Sequence, residues 1–221
     1  MDKTQLFEFL SIQDAPFLLD LLNEAYDQMD VDQRRWVFGR LVEELPPAQV
    51  DGEVLLNKVE DFGHESLAGA YYAPFNINSK NFMHIPEETE EWFERLGDFL
   101  KASSQLTAQG DYLHAATCFG ILYELIDALE SGEEIAFADE IGGWMIPGDE
   151  KQYVAAYMAS LAATTAPEEF SAAALPLIRR DSWQSFFTQA YPAAIRAANE
   201  AQRAHLEAEI EHQNVQTGRA L

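Results

Sequence analysis

The pairs with the most chemical potential in this chain are acids and histidines three residues apart. Glu209-x-x-His212, Asp61-x-x-His64 and Asp111-x-x-His114 each set a carboxylate and an imidazole on one face of a helix. Di-metal carboxylate bundles hold their ions through such pairs. His205 lies four residues before Glu209 and shares its face. A complete site needs two of these motifs and two further carboxylates, all aimed into a core. Glu209 and His212 fall instead in a polar stretch, and Asp111 is wanted as a helix cap. Solvated acids are therefore the plainer reading, and no metal or other cofactor is expected. Asp27, Asp30 and Asp32 also gather at one turn. A calcium loop would need a turn glycine and a closing glutamate. Arg34 and Arg35 follow instead, which fits capping and local ion pairing.

Nucleophiles are equally sparse. The single cysteine, Cys118, sits in an apolar run from Ala115 to Phe119 and reads as a small core residue. One cysteine allows no intrachain disulfide. Ser66, within Gly63-His64-Glu65-Ser66-Leu67-Ala68-Gly69, lacks the glycine two residues earlier that a nucleophile elbow requires. It is also expected on a helix and not after a strand. No glycine-rich phosphate loop occurs, and no catalytic residue is assigned.

Two segments suit binding better than catalysis. In the first, Trp144 and Met145 stand between glycines, with Asp139 and Glu140 before them and Asp149 and Glu150 after. An exposed Trp144 would make a recognition anchor; a buried one would plug the core between two helices. In the second, Arg179 and Arg180 are adjacent in a chain with few bases. They could grip a carboxylate or pair with the chain's own acids.

The elements that would position these residues are helical. Of 221 residues, 48% are hydrophobic, which supplies a core, and acids outnumber bases 38 to 14 for a formal charge of −24. That balance opposes phosphate backbones and anionic membrane surfaces, which need clustered Lys and Arg. Nucleic acid and membrane are therefore not expected partners; a protein is. The start of the chain shows no basic, apolar leader, and no run of about 18 apolar residues could span a bilayer. A cytoplasmic location is the expectation.

Apolar residues recur at i, i+3, i+4 spacing along almost the whole chain, with no sustained alternation, so little or no β-structure is expected. Asp14 and Pro16 open a helix carrying Phe17, Leu18, Leu21, Leu22, Ala25, Tyr26 and Met29. A second helix with Trp36, Val37, Leu41, Val42 and Leu45 ends at Pro46-Pro47, closing a hairpin. Further helices are expected over 51–72, 87–109, 111–131, 133–142, 150–164 and 167–178. Ser182 is expected to cap another, and an Ala-rich last helix is expected over 193–212. Its alanines, such as Ala194, Ala197 and Ala201, could pack closely within the chain or in a homodimer. Loop 73–86 is the longest non-helical break and the best candidate sub-boundary in a single domain; residues 213–221 are expected to fray.

One stretch carries a known spacing. Phe99, Ala102, Ser103, Leu106, Gly110, Tyr112, Ala115, Phe119 and Leu122 resemble a single tetratricopeptide unit. Asp127 stands where that family's helix-ending proline belongs, and the pattern does not repeat at 17–45 or 153–177. The resemblance implies one hairpin with small residues at the helix contact, Gly110 at the turn, and Tyr112 and Phe119 between helix pairs. The expected architecture is an irregular α-α stack of about nine helices. The expected function is a protein-binding or scaffold module, not an enzyme. The alternatives are a metal-dependent helical-bundle enzyme and an acidic chaperone for one client.

Overall fold

The computed structural model describes residues 2–29, 33, 36–37, 49–76, 84–138, 142 and 145–218. Among these the chain is all-α, with nine helices. They are α1 (Lys3–Leu10), α2 (Ala15–Gln28), α3 (Gly52–Leu67), α4 (Glu87–Gln109), α5 (Tyr112–Glu130), α6 (Glu150–Thr164), α7 (Pro167–Trp183), α8 (Ala190–Ala197) and α9 (Glu200–Gln213). No helix is long and apolar enough to cross a membrane, among the described residues. The chain divides into two compact units, Met1–Ala48 and Gln49–Leu221.

In the first unit, Asp14 caps α2 as expected by accepting the Phe17 N–H at 3.1 Å, with Pro16 in the first turn where its missing N–H costs nothing. α1 was not expected from the pattern. Phe9 of α1 meets Phe17 of α2 edge-to-face at 6.4 Å. No described residue of this unit is buried. Most of the expected second helix of the hairpin lies outside the described residues, as do Asp30, Asp32, Arg34 and Arg35.

The second unit is an α-helical stack with an apolar core. Asp51 starts α3 by accepting the Val54 N–H at 3.0 Å. Leu55, Val59, Phe62 and Ser66 then follow one another down its buried stripe. α4 and α5 form an antiparallel hairpin. Its turn depends on Gly110, which sits at φ 85° in the left-handed region that costs a glycine nothing. α4 also runs antiparallel to α3. The Gln109 carboxamide accepts the Val50 N–H at 3.1 Å near one end, and the Trp92 indole donates to Ser66 Oγ at 2.9 Å near the other.

α3 and α5 therefore lie side by side and parallel, although α4 separates them in sequence. Gly52 of α3 faces Asp111 and His114 at the start of α5, Gly63 faces Ile121, and Gly69 faces Glu134 past its end. α6 closes the layer. Its Ser160 bonds to Thr107 of α4 at 2.8 Å, and its Tyr157 stacks on Phe119 and Tyr123 of α5 at 5.3 and 5.5 Å. α7 and α9 form a second parallel pair, with Ser171 bonded to His205 at 2.9 Å and Arg179 to Gln213. The second unit is thus a helical stack in which helices two apart also pack.

Three local expectations are corrected. No helix occupies 133–138; Gly132 ends α5 at φ 94°. The Thr89 hydroxyl then bonds both the carbonyl and the N–H of Phe137, at 2.8 and 3.0 Å, in place of helical partners. Ser182 lies inside α7, and the cap of α8 comes from Asp181. That buried carboxylate accepts the N–H groups of Thr188 at 2.6 Å and Ala190 at 3.0 Å. The Ala-rich stretch is two helices, split at Asn199, whose side chain forms a reciprocal capping box with Gln202. Loop 73–86 lies within the second unit. Residues 77–83 of that loop lie outside the described set, as do 139–141 of the expected helix and 219–221 of the tail.

Candidate functional site

The parallel pair α3 and α5 leaves an open groove of about 510 Å³ on its outer side. Glu60, Gly63, His64 and Leu67 come from α3, and Ile121, Glu124 and Leu125 from α5. Helical spacing explains the set: 60, 63, 64 and 67 fall on one face, as do 121, 124 and 125. Gly63 lets the helices approach; a Cβ there would sit 3.3 Å from Ile121. The floor is apolar, with Leu125 buried, Ile121 half-buried and Leu67 66% exposed. Glu60 and Glu124 stand on opposite rims, and both are exposed. A second hollow of about 530 Å³ shares Leu67 and continues over Tyr72 and Ile135, with Glu133 and Glu134 at its edge. The two hollows adjoin at Leu67: the first has an apolar floor, the second a more polar lining, and each has acidic residues at its edge.

The far side of α3 is fixed in place. Arg95 of α4 donates to Glu65 at 2.8 Å and to the Tyr71 hydroxyl. Its guanidinium lies 5.0 Å from the Phe62 ring centroid. The Tyr71 hydroxyl donates to Glu65 at 2.7 Å. That bond, with help from Arg95, holds the Glu65 carboxyl below its usual range. Burial, with the same hydrogen bond, pushes Tyr71 up to about 12. Trp92 and Ser66 lock the same junction from inside.

The binding residues expected from the sequence do not converge here. Trp144, Asp139 and Glu140 lie outside the described residues. Met145 is half-buried and packs against the core. Arg179 and Arg180 point apart, as neighbours on a helix must. Arg180 bonds Asp127 at 2.9 Å with only 13% of its side chain exposed and lies 5.1 Å from the Tyr123 ring. It pairs with the chain's own acids. Arg179 is exposed, donates to Gln213, and lines a separate hollow of about 450 Å³ beside Trp183.

Several of the acid and histidine side chains have partners of their own. His114 bonds both oxygens of Asp111 at 2.9 Å, His205 bonds Ser171, and Glu209 accepts from Gln213 at 2.6 Å. No three His, Cys, Asp or Glu side chains meet in a metal-binding group, among the described residues. Cys118 is fully buried, and burial pushes its thiol up to about 11. His114, one turn earlier, is turned toward Asp111. Ser66 Oγ donates to the Phe62 carbonyl at 2.7 Å and accepts from Trp92, so it is no nucleophile.

The groove residues escaped sequence reading because their signal is weak: an exposed Leu67 one turn after Gly63, and an apolar α5 with few charges. Tyr112, expected between helix pairs, is 39% exposed at the start of α5. Comparison with known proteins adds no name to this geometry, since no family model, no curated protein and no solved structure matches the chain.

Proposed function

We propose that this chain is a protein-binding module whose α3–α5 groove receives a helical segment of a partner protein. The observation that carries the reading is the exposed apolar bed, Leu67 with Ile121, held between acidic rims on a firmly packed pair of helices. An amphipathic helix laid in such a groove would bury its apolar face, and Lys or Arg beside that face would meet Glu60 and Glu124. Firm walls favour this use, because less ordering is needed on binding. No three His, Cys, Asp or Glu side chains meet among the described residues to favour the metal-enzyme reading, and a client-specific chaperone would use the same groove.

A defined probe tests it. An 18-residue helical peptide with a leucine face flanked by lysines should protect amides of 60–72 and 121–135 from hydrogen exchange in the full chain. Leu67→Gln, at a surface position, should leave the unfolding midpoint unchanged and weaken this binding about tenfold. An unchanged groove signal in Leu67→Gln would overturn the proposal.

A further inference from the structure

We infer that the hollow at the ends of α7 and α9 is a ligand site for a monocarboxylate borne on an aromatic ring, its carboxylate held by Arg179 and its ring stacked on Trp183. The two helices run parallel and stop side by side, and there the Arg179 guanidinium donates to the Gln213 carboxamide. The hollow, about 450 Å³, falls in the size range of small-ligand sites. Its walls are fixed before any ligand arrives. On the α7 side, Ser182 Oγ donates to the Arg179 carbonyl at 2.7 Å. Asp181 pins the chain that follows Trp183: its carbonyl accepts the Phe186 N–H at 2.7 Å, and its buried carboxylate takes those of Thr188 and Ala190. Ser185 and Phe186 thereby stay at φ 58° and 61°, which side chains keep only where neighbours over-determine it. On the α9 side, Asn214 turns the chain at φ 53°, and Val215 packs against the core. The tail then returns to the loop, since a Cβ on Gly218 would lie 2.7 Å from the Phe186 ring. Walls built in this way need little ordering on binding.

The lining selects the ligand. Trp183, 89% exposed, offers a broad face on which a planar ring can lie offset. The two hollows at α3 and α5 carry glutamates, whereas no Asp or Glu lines this one, among the described residues. A guanidinium has five N–H groups. The bond to Gln213 leaves others for the two oxygens of a carboxylate. Helix C-termini repel anions through their open carbonyls, but here those carbonyls are engaged. Gln184 donates to Arg180, and Val215 and Asn214 donate to Ile210 and Glu211. Glu209, one turn behind, is occupied by the Gln213 amide at 2.6 Å. Arg179 is the one cation in the lining, among the described residues. It balances a single negative charge. A phosphate dianion would find no second cation, on a chain of formal charge −24.

The full chain tests this by titration with 2-naphthoate, 2-naphthamide and 2-naphthyl phosphate. The readout is the indole N–H resonance of Trp183, assigned by its loss in Trp183→Phe. Naphthoate should shift it saturably, and the amide should bind about tenfold more weakly. Arg179→Gln should weaken naphthoate about tenfold and leave the amide unchanged. Trp183→Ala, followed by equilibrium dialysis, should weaken both. Each variant should keep the thermal midpoint of the parent, because both side chains are exposed. Leu67→Gln should leave naphthoate binding unchanged, so this site and the α3–α5 groove fail separately. A tripeptide ending in tryptophan distinguishes the sources. Tighter binding than naphthoate, lost on amidation of its carboxylate, supports the C-terminus of a protein; weaker binding supports a free aromatic acid. Equal affinity for naphthoate and naphthamide would overturn the inference, as would tighter binding of the phosphate or naphthoate binding that survives both Arg179→Gln and Trp183→Ala.

Discussion

In the hairpin of α1 and α2, Phe7, Leu19 and Leu22 keep half or more of their surface in water. In the stack of residues 49–221, Phe62, Trp92, Phe119 and Phe170 keep none. The residue types are alike in the two regions, and so are the local start signals, since an aspartate caps α2 and α3 in the same way. What differs is the number of layers. α5 is covered by α3, α4 and α6, so its apolar side chains find neighbours on several sides. Burial on this scale is worth about 25 cal/mol per Å² of apolar surface. Among the described residues, α1 and α2 meet only each other within their unit. The stack therefore spends its apolar surface on folding, whereas α1 and α2 leave much of theirs in water.

The contrast can be broken first in the core. Phe119→Ala removes a ring stacked against Tyr123 and Tyr157 and should cost about 3–5 kcal/mol in urea unfolding. Leu19→Ala, half in water, should stay within about 0.5 kcal/mol. Comparable losses at the two sites would refute the division. The caps offer a second comparison. Asp181→Ala leaves two N–H groups without their acceptor in a turn where Ser185, Phe186 and Gln189 already hold positive φ. It should cost about 2–3 kcal/mol. Asp14→Ala, at the start of α2, should lower local helix content without moving the main transition.

A third variant sharpens the account of the stack through pH. Burial holds the carboxyls of Glu130 and Glu150 above their usual range, and Arg180 pulls both down. A group whose folded pKa is raised binds protons more tightly when folded, so stability falls as pH rises through that window. Arg180→Gln removes the downward pull. The deficit of the variant relative to the parent should therefore be larger at pH 7 than at pH 5. A difference in unfolding midpoint that is constant with pH would contradict this. The smallest effect concerns Cys118. Its buried thiol should react with a disulfide reagent only as the stack opens, and a Leu19→Gln, Leu22→Gln double substitution should leave that rate unchanged.

Much of the helical layout was legible locally. α4 and α6 match their expected bounds, 87–109 and 150–164, because Gly110, Asp149 and the acidic first turns act within a few residues of where they stand. Two misses also had local signals that a wider reading would catch: the Asn199–Gln202 capping box, and Gly132 ahead of the non-helical 133–138. The Thr89–Phe137 bonds had none, since they join residues 48 apart. Nor did the burial of Asp181, which displaced Ser182 as the cap.

The candidate site was the least legible part. Glu60, His64 and Leu67 are ordinary residues of an exposed helix until α5 lies beside them. That adjacency passes over the whole of α4, so no window along the chain contains it. Composition, caps and apolar period are properties of neighbours in sequence, and they sufficed for an acidic, all-helical chain with most of its helix ends. Which helices run parallel, which face of α3 stays open, and whether Arg180 meets its own acids or a partner's depend on packing. Only the tertiary structure decided them, because burial is shared among residues that the sequence keeps far apart.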